Sequence, residues 1–368
     1  MRIRTLLLFL IGDRQAILDI AADRRALWVG FIFVLSAGLA REYDGHDLLR
    51  EPWHLLIPLG ASLGASMLLF AITGIKVVIQ AKGAPSLWIA YRSFLTLFWM
   101  TAPLAWLYAI PYERFLAPAD ALRANLITLA LVALWRVALM VRVASVFMGY
   151  PWYRALFLVM AFSDGVALIS LTQMPMPIIA FMGGVRLTES ERLIESVTIN
   201  TGCFGYLTGP IWAIGAGIVL FGKRADWEWP TSAATPGRRT SILLWVFAAA
   251  SLAVWAIVLP QTQPEQQLRR RAERDLKAGH IAEALAEMSR HSPSDYPPHW
   301  DPPPHIWRES RQPDLLAVME VILEQPPAPW VEQIYVEKFK SILSHGVVRS
   351  RARKRQSCRA GQGSKTLS

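Results

Sequence analysis

Between residues 26 and 260 the chain alternates long apolar blocks with short polar connectors. Most of these blocks have the length of a bilayer crossing, because about 20 apolar residues span the roughly 30 Å hydrocarbon layer. The blocks are 26–40, 53–75, 88–110, 122–143, 152–173, 201–220 and 241–259. They predict an all-α fold, a polytopic transmembrane helix bundle of about seven spans. The first block is short for a full crossing, and Arg24, Arg25 and Arg41 at its ends can extend it by reaching to the headgroups. Pro103 interrupts the third block and predicts a kink, since it removes one backbone donor. Pro260 closes the seventh.

Three stretches break the alternation. Residues 1–25 carry Leu6, Leu7, Leu10, Ile11, Ile17, Leu18 and Ala21 at roughly helical spacing among charges, which predicts an interfacial amphipathic segment. The other reading is a retained first anchor, since no small-x-small cleavage site follows the short apolar run. At 174–184, MPMPIIAFMGG holds two prolines and a glycine pair. It reads as an interfacial loop, or as a broken segment at membrane depth. The following VRLTESERLIESVTIN is amphipathic and belongs outside the hydrocarbon.

Past residue 260 the pattern changes to polar, proline-rich and helical by turns. Residues 261–345 predict a small α-helical extramembrane domain, with two helices joined near Gly279 and an apolar face of Leu276, Ile281, Leu285 and Met288. SPSDYPPHWDPPPHIW follows as an extended strap or a ligand for a groove. Two more helical segments precede a basic, disordered tail at 346–368.

Composition sharpens this division. Of 368 residues, 53% are hydrophobic and only 18% charged, against about a quarter charged in soluble domains. The net charge of +10 comes without any aromatic-basic binding module, and nucleic acid is not expected as a partner. Short-loop Lys and Arg concentrate at the N-terminus and in the 76–92, 136–154 and 223–239 connectors. That places the N-terminus on the cytoplasmic side. Seven spans then put the C-terminal domain on the far side, whereas Arg269, Arg270, Arg271 and the tail RSRARKR favour the cytoplasmic side, which six or eight spans would give. The only cysteines, Cys203 and Cys358, form no disulfide framework.

Few residues carry chemistry. Asp164 lies well inside the block 152–173, where a carboxylate is costly unless paired, hydrated or protonated. Arg136, in the neighbouring block, is its natural partner for an intramembrane charged pair. The pair reads first as a helix lock. A transport-linked role, or an Asp164 lining a watery vestibule, are the alternatives. Gly60 and Gly64 in one block, and Gly205, Gly209, Ala213 and Gly217 following Thr201 in another, fall four apart and predict close helix packing, within the chain or between copies. His291, His299 and His305 are weak zinc candidates, since their spacing matches no closed metal motif; no metal and no cofactor are expected. HExxH and the Walker lysine motif are absent from the sequence, and GASLG at 60–64 lies inside an apolar block rather than at the strand-to-helix turn of a hydrolase nucleophile elbow.

GLAREYDG at 38–45, EPWHLL at 51–56 and TAPLAWLYAIP at 101–111 resemble uncharacterised multi-spanning bacterial membrane proteins. The resemblance covers residues 1 to about 310, implies a plasma membrane, and carries no activity or functional residue with it. LKAGHIAEALAEM is similar to the turn of a tetratricopeptide-type hairpin, without a second repeat. The expectation is a multi-pass membrane protein, a non-catalytic scaffold or accessory subunit that touches the bilayer, a protein partner through its C-terminal domain, and further copies of itself. A small-solute or ion transporter built on Asp164 and Arg136 is the alternative, followed by a membrane-embedded enzyme.

Overall fold

The computed structural model describes residues 1–41, 47–48, 50–80, 83, 85–172, 189–222, 240–297, 300–304 and 314–341. The expectations for 174–184, for His299 and His305, and for the tail at 346–368 therefore lie outside the described residues. Among those described the fold is helical and contains no strand. Two compact units form: Met1–Tyr43 with Leu48–Leu259, and Asp44–Asp47 with the chain from Pro260 onward.

The first unit opens with two short helices, α1 (Ile3–Leu10) and α2 (Arg14–Ala22). Gly12 sits at φ +81°, a conformation that favours glycine, and lets the chain reverse between them. Asp13 then caps α2 by accepting from the Ala16 N–H at 2.8 Å. The N-terminal amphipathic segment is a helical hairpin whose apolar face packs on the bundle. Leu6, Phe9, Ile17 and Ile20 are buried, while Leu7 and Ile11 point outward. The hairpin is pinned by α7 (Pro118–Phe147), whose Trp135 Nε1 donates to the Leu10 carbonyl at 2.8 Å and whose Arg142 Nε donates to that of Gly12 at 3.0 Å.

α3 (Ala26–Arg41), α4 (Leu56–Thr73) and the short α5 (Ile75–Gln80) follow. The predicted third span is not one helix. α6 (Leu87–Trp99) ends and the chain continues as a 3₁₀ segment, Ala102–Ala109. Pro103 cannot donate to an α-helical ladder, and the chain tightens rather than kinking. Irregular backbone of this kind is stable in an apolar setting only where protein covers it. That condition holds. Phe94, Leu97, Met100, Thr101 and Leu104 are buried, the segment packs between α3 and α7, and Trp106 Nε1 donates to Ser36 Oγ at 3.0 Å.

α8 (Trp152–Thr172) and α9 (Glu189–Phe221) form the broadest pairing in the bundle. α9 absorbs the end of the amphipathic stretch into the same continuous helix, with Pro210 inside it. Lys76 reaches its C-terminal end, donating to the carbonyls of Leu220 and Gly222. α10 (Ile242–Thr262) runs through Pro260 rather than ending there. Its start is tied to the α2–α3 corner by Thr240, whose hydroxyl donates to Asp23 Oδ2 at 2.6 Å. Five helical stretches of the described chain, 52–73, 118–147, 152–171, 192–221 and 242–261, are long and apolar enough to cross a membrane, with 26–40 a shorter apolar helix. The fold is thus an apolar, membrane-type helix bundle.

The second unit contains α11 (Pro264–Ala278), α12 (Ile281–Ser289), α13 (Leu315–Glu324) and α14, residues 329–341. Gly279, at φ +85°, joins the first two, its N–H bonding the Leu276 carbonyl at 3.1 Å. Ala272, Leu285, Met288, Tyr296, Val318, Ile322, Val331 and Tyr335 close a core of its own. Arg270 lies 2.8 Å from Asp47 at the edge of this unit.

Candidate functional site

Asp164 stands twelve residues into α8, about 18 Å along the helix from Trp152. It does not pair with Arg136. The Arg136 guanidinium is placed over the Phe98 ring, 5.4 Å from its centroid. The Asp164 carboxylate turns instead toward α9 and rests on bare backbone. A Cβ added at Gly205 would lie 2.9 Å from Asp164 Oδ1, and one at Gly209 3.1 Å from Oδ2. Only glycines leave that space. Oδ2 is buried without a hydrogen-bond partner.

Along the four-residue stripe some positions face α8 and others do not, for a geometric reason. A helix turns about 100° per residue, so each step of four drifts about 40° off the starting face. Gly205 and Gly209 lie in the contact, Ala213 is exposed, and a Cβ on Gly217 would meet nothing. The contact face moves on to Trp212, Gly215, Ala216 and Val219. Gly215 was missed: the Phe157 ring lies so close that a Cβ there would come within 2.2 Å of it. A search at the 3.6-residue period would have found it. A Cβ at Gly60 or Gly64 would meet nothing within 4 Å among the described residues.

The second unit holds a denser polar arrangement, built around the proline strap. Prolines lack N–H groups and an extended strap makes no ladder, so its carbonyls need donors from elsewhere. One turn of α14 supplies them. Tyr335 donates its hydroxyl to the Pro303 carbonyl at 2.9 Å, and Lys338 Nζ donates to the carbonyls of Pro302 and Pro304 and meets Asp301 Oδ1 at 2.6 Å. Tyr296 and Trp300 stack with centroids 4.5 Å apart, and Trp300 Nε1 donates to Glu273 Oε1 at 3.1 Å. Burial pushes the Lys338 ammonium below its usual value, and Asp301 pulls it partly back. Burial raises the Tyr335 phenol, with Asp301 adding to the effect, and raises Tyr296 to about 12, with Glu287 and Asp295 adding to it.

His291 lies 3.8 Å from Glu287 and 3.9 Å from Asp295, edge-on to Tyr296. Among the described residues no three His, Cys, Asp or Glu side chains converge in a way that could hold a metal ion. The Ser292 backbone N–H, then its hydroxyl, lower the Asp295 carboxyl below its usual value. Cys203 is exposed and free.

No protein-family model matches the chain, and neither the curated proteins nor the solved structures include one similar to it.

Proposed function

We propose that this chain is a multi-pass plasma-membrane scaffold or accessory subunit that offers its C-terminal helical unit to a protein partner. One observation carries the reading. α13 spends Leu315, Val318 and Ile322 on the unit's own core, yet turns Leu316 and Leu323 outward, 55% and 80% exposed. Those two leucines are seven apart, so they share one stripe and have the spacing of helix-in-groove anchors. Neither leucine belongs to the unit's core among the described residues.

The test is a photo-crosslinking residue placed in cells at 316, at 323, and at the exposed Gln333 as a control. A discrete adduct from the first two and none from the third supports a docked partner. Adducts of equal yield at all three positions, or none, would remove the reading.

A second reading has its own observation. The buried, unpartnered Oδ2 of Asp164 is what a proton- or cation-linked carboxylate in a bundle presents. Reconstituted protein would then show a solute- or proton-dependent flux that Asp164→Asn abolishes. Flux that survives the substitution excludes Asp164 from any such path.

A further inference from the structure

We propose that the groove between α11 and α12 binds the headgroup of a zwitterionic phospholipid, a phosphate beside a primary ammonium. From α11 the groove is lined by Arg271, Arg274 and Asp275, and from α12 by Glu283, Glu287 and Arg290, over a floor set by the small Ala286. On each helix these positions recur at three- and four-residue spacing, so they face one way.

The charges in the groove are zoned. The chain reverses at Gly279, which brings the early part of α12 beside the late part of α11. Asp275 and Glu283 therefore occupy the end near the turn. Arg271 lies about 6 Å back along α11 from Asp275, and Arg290 about 10 Å along α12 from Glu283, so the far end carries two guanidiniums with the Glu287 carboxylate and the turn end two carboxylates with Arg274. Arg290 is held by Glu287 at 2.8 Å, which fixes its direction, and Arg274 stands 3.7 Å from Asp275. Arg271 makes no ion pair among the described residues, and its fork is open to a ligand.

Three guanidinium groups against three carboxylates give no net charge, so the groove does not draw in a simple anion from a distance. It complements a ligand that carries both signs a few ångströms apart. A phosphate takes the forked donors of Arg271 and Arg290, and a primary ammonium donates to Glu283 and Asp275. The chain itself argues for a lipid source. α11 begins directly after the apolar α10, so the groove is tethered within a short chain length of a bilayer surface, where headgroups are the most concentrated ligand of this chemistry.

The test uses the full chain in mild detergent, with lipid retention read by native mass spectrometry. Short-chain phosphatidylethanolamine, phosphatidylcholine and phosphatidylglycerol are added separately, with free glycerophosphoethanolamine as a soluble competitor. Phosphatidylethanolamine is expected to be retained about tenfold better than the other two, since the quaternary ammonium donates no hydrogen bond and the glycerol carries no cation. Arg271→Ala should weaken that retention about tenfold, and Glu283→Gln should erase the preference over phosphatidylglycerol. Both side chains are exposed, so each variant should melt with the parent protein. Equal retention of phosphatidylglycerol, no change in either variant, or saturation by the free compound at the same concentration would each overturn the assignment.

Discussion

The Asp164 carboxylate of α8 is seated on the backbone of Gly205 in α9, in a gap that a single added methyl would close. A Cβ at Gly205 would lie 2.9 Å from both Asp164 Oδ1 and Leu168 Cδ2, closer than such contacts allow. Gly205→Ala should therefore destabilise the bundle by about 1–3 kcal/mol, as overpacking does. Gly215→Ala should cost at least as much, because Phe157 fills its space, whereas Gly64→Ala and Gly217→Ala, which meet nothing, should be close to neutral. Thermal melting of the four variants in detergent checks the order. Equal losses at all four positions would mean that the α8–α9 contact is not where it is placed.

A double-mutant cycle tests the separation of the two intramembrane charges. Asp164→Asn removes a carboxylate whose Oδ2 has no partner and should leave stability unchanged or raise it by about 1 kcal/mol. Arg136→Gln loses the approach to Phe98 and should cost about 0.5–1 kcal/mol. Because the groups do not meet, the double variant should equal the sum within about 0.5 kcal/mol. A coupling well above that would restore the ion pair.

The proline strap should depend on Lys338 more than on any other single residue, since one ammonium meets Asp301 and the carbonyls of Pro302 and Pro304. Lys338→Met takes their shared donor from the Pro302 and Pro304 carbonyls, at a cost of about 2–4 kcal/mol to the second unit. Tyr335→Phe removes only the bond to Pro303 and should cost about 1 kcal/mol. Trp300 reports the change, because it stacks on Tyr296. Its fluorescence should be that of solvent-exposed indole in the Lys338 variant under conditions where the parent is folded.

Alkaline pH should unfold the second unit through its tyrosines. The folded state holds the Tyr296 proton more tightly than the unfolded chain, about 12 against 10.0. That stability is fully present below pH 10 and is lost as pH rises through about 12. Tyr335, also raised, acts in the same direction. Lys338, lowered on folding, acts in the opposite one, adding stability as pH rises from its folded value to 10.5. Tyr296→Phe removes a buried hydroxyl that has no partner, so it should be neutral or slightly stabilising at neutral pH and should flatten the alkaline decline. An unchanged alkaline midpoint would show that Tyr296 is not the titrating group.

Hydropathy alone located α3, α4, α7, α8, α9 and α10, because in these segments the apolar character is continuous and span length is a property of the chain itself. Gly279 likewise marked its own turn, since a left-handed position favours glycine wherever the fold places it. Three things were settled only in three dimensions. The segment after Trp99 is apolar like a span, yet it is 3₁₀, and what permits this is cover from α3 and α7, which no local pattern encodes. The N-terminal amphipathic pattern was legible, but whether its apolar face meets lipid or protein depends on partners such as Trp135 and Arg142, more than a hundred residues away. Asp164 was conspicuous from the start. Its neighbour was not, because a charged residue in sequence invites a charged partner, whereas the contact that formed depends on the absence of two side chains, at Gly205 and Gly209, on the facing helix.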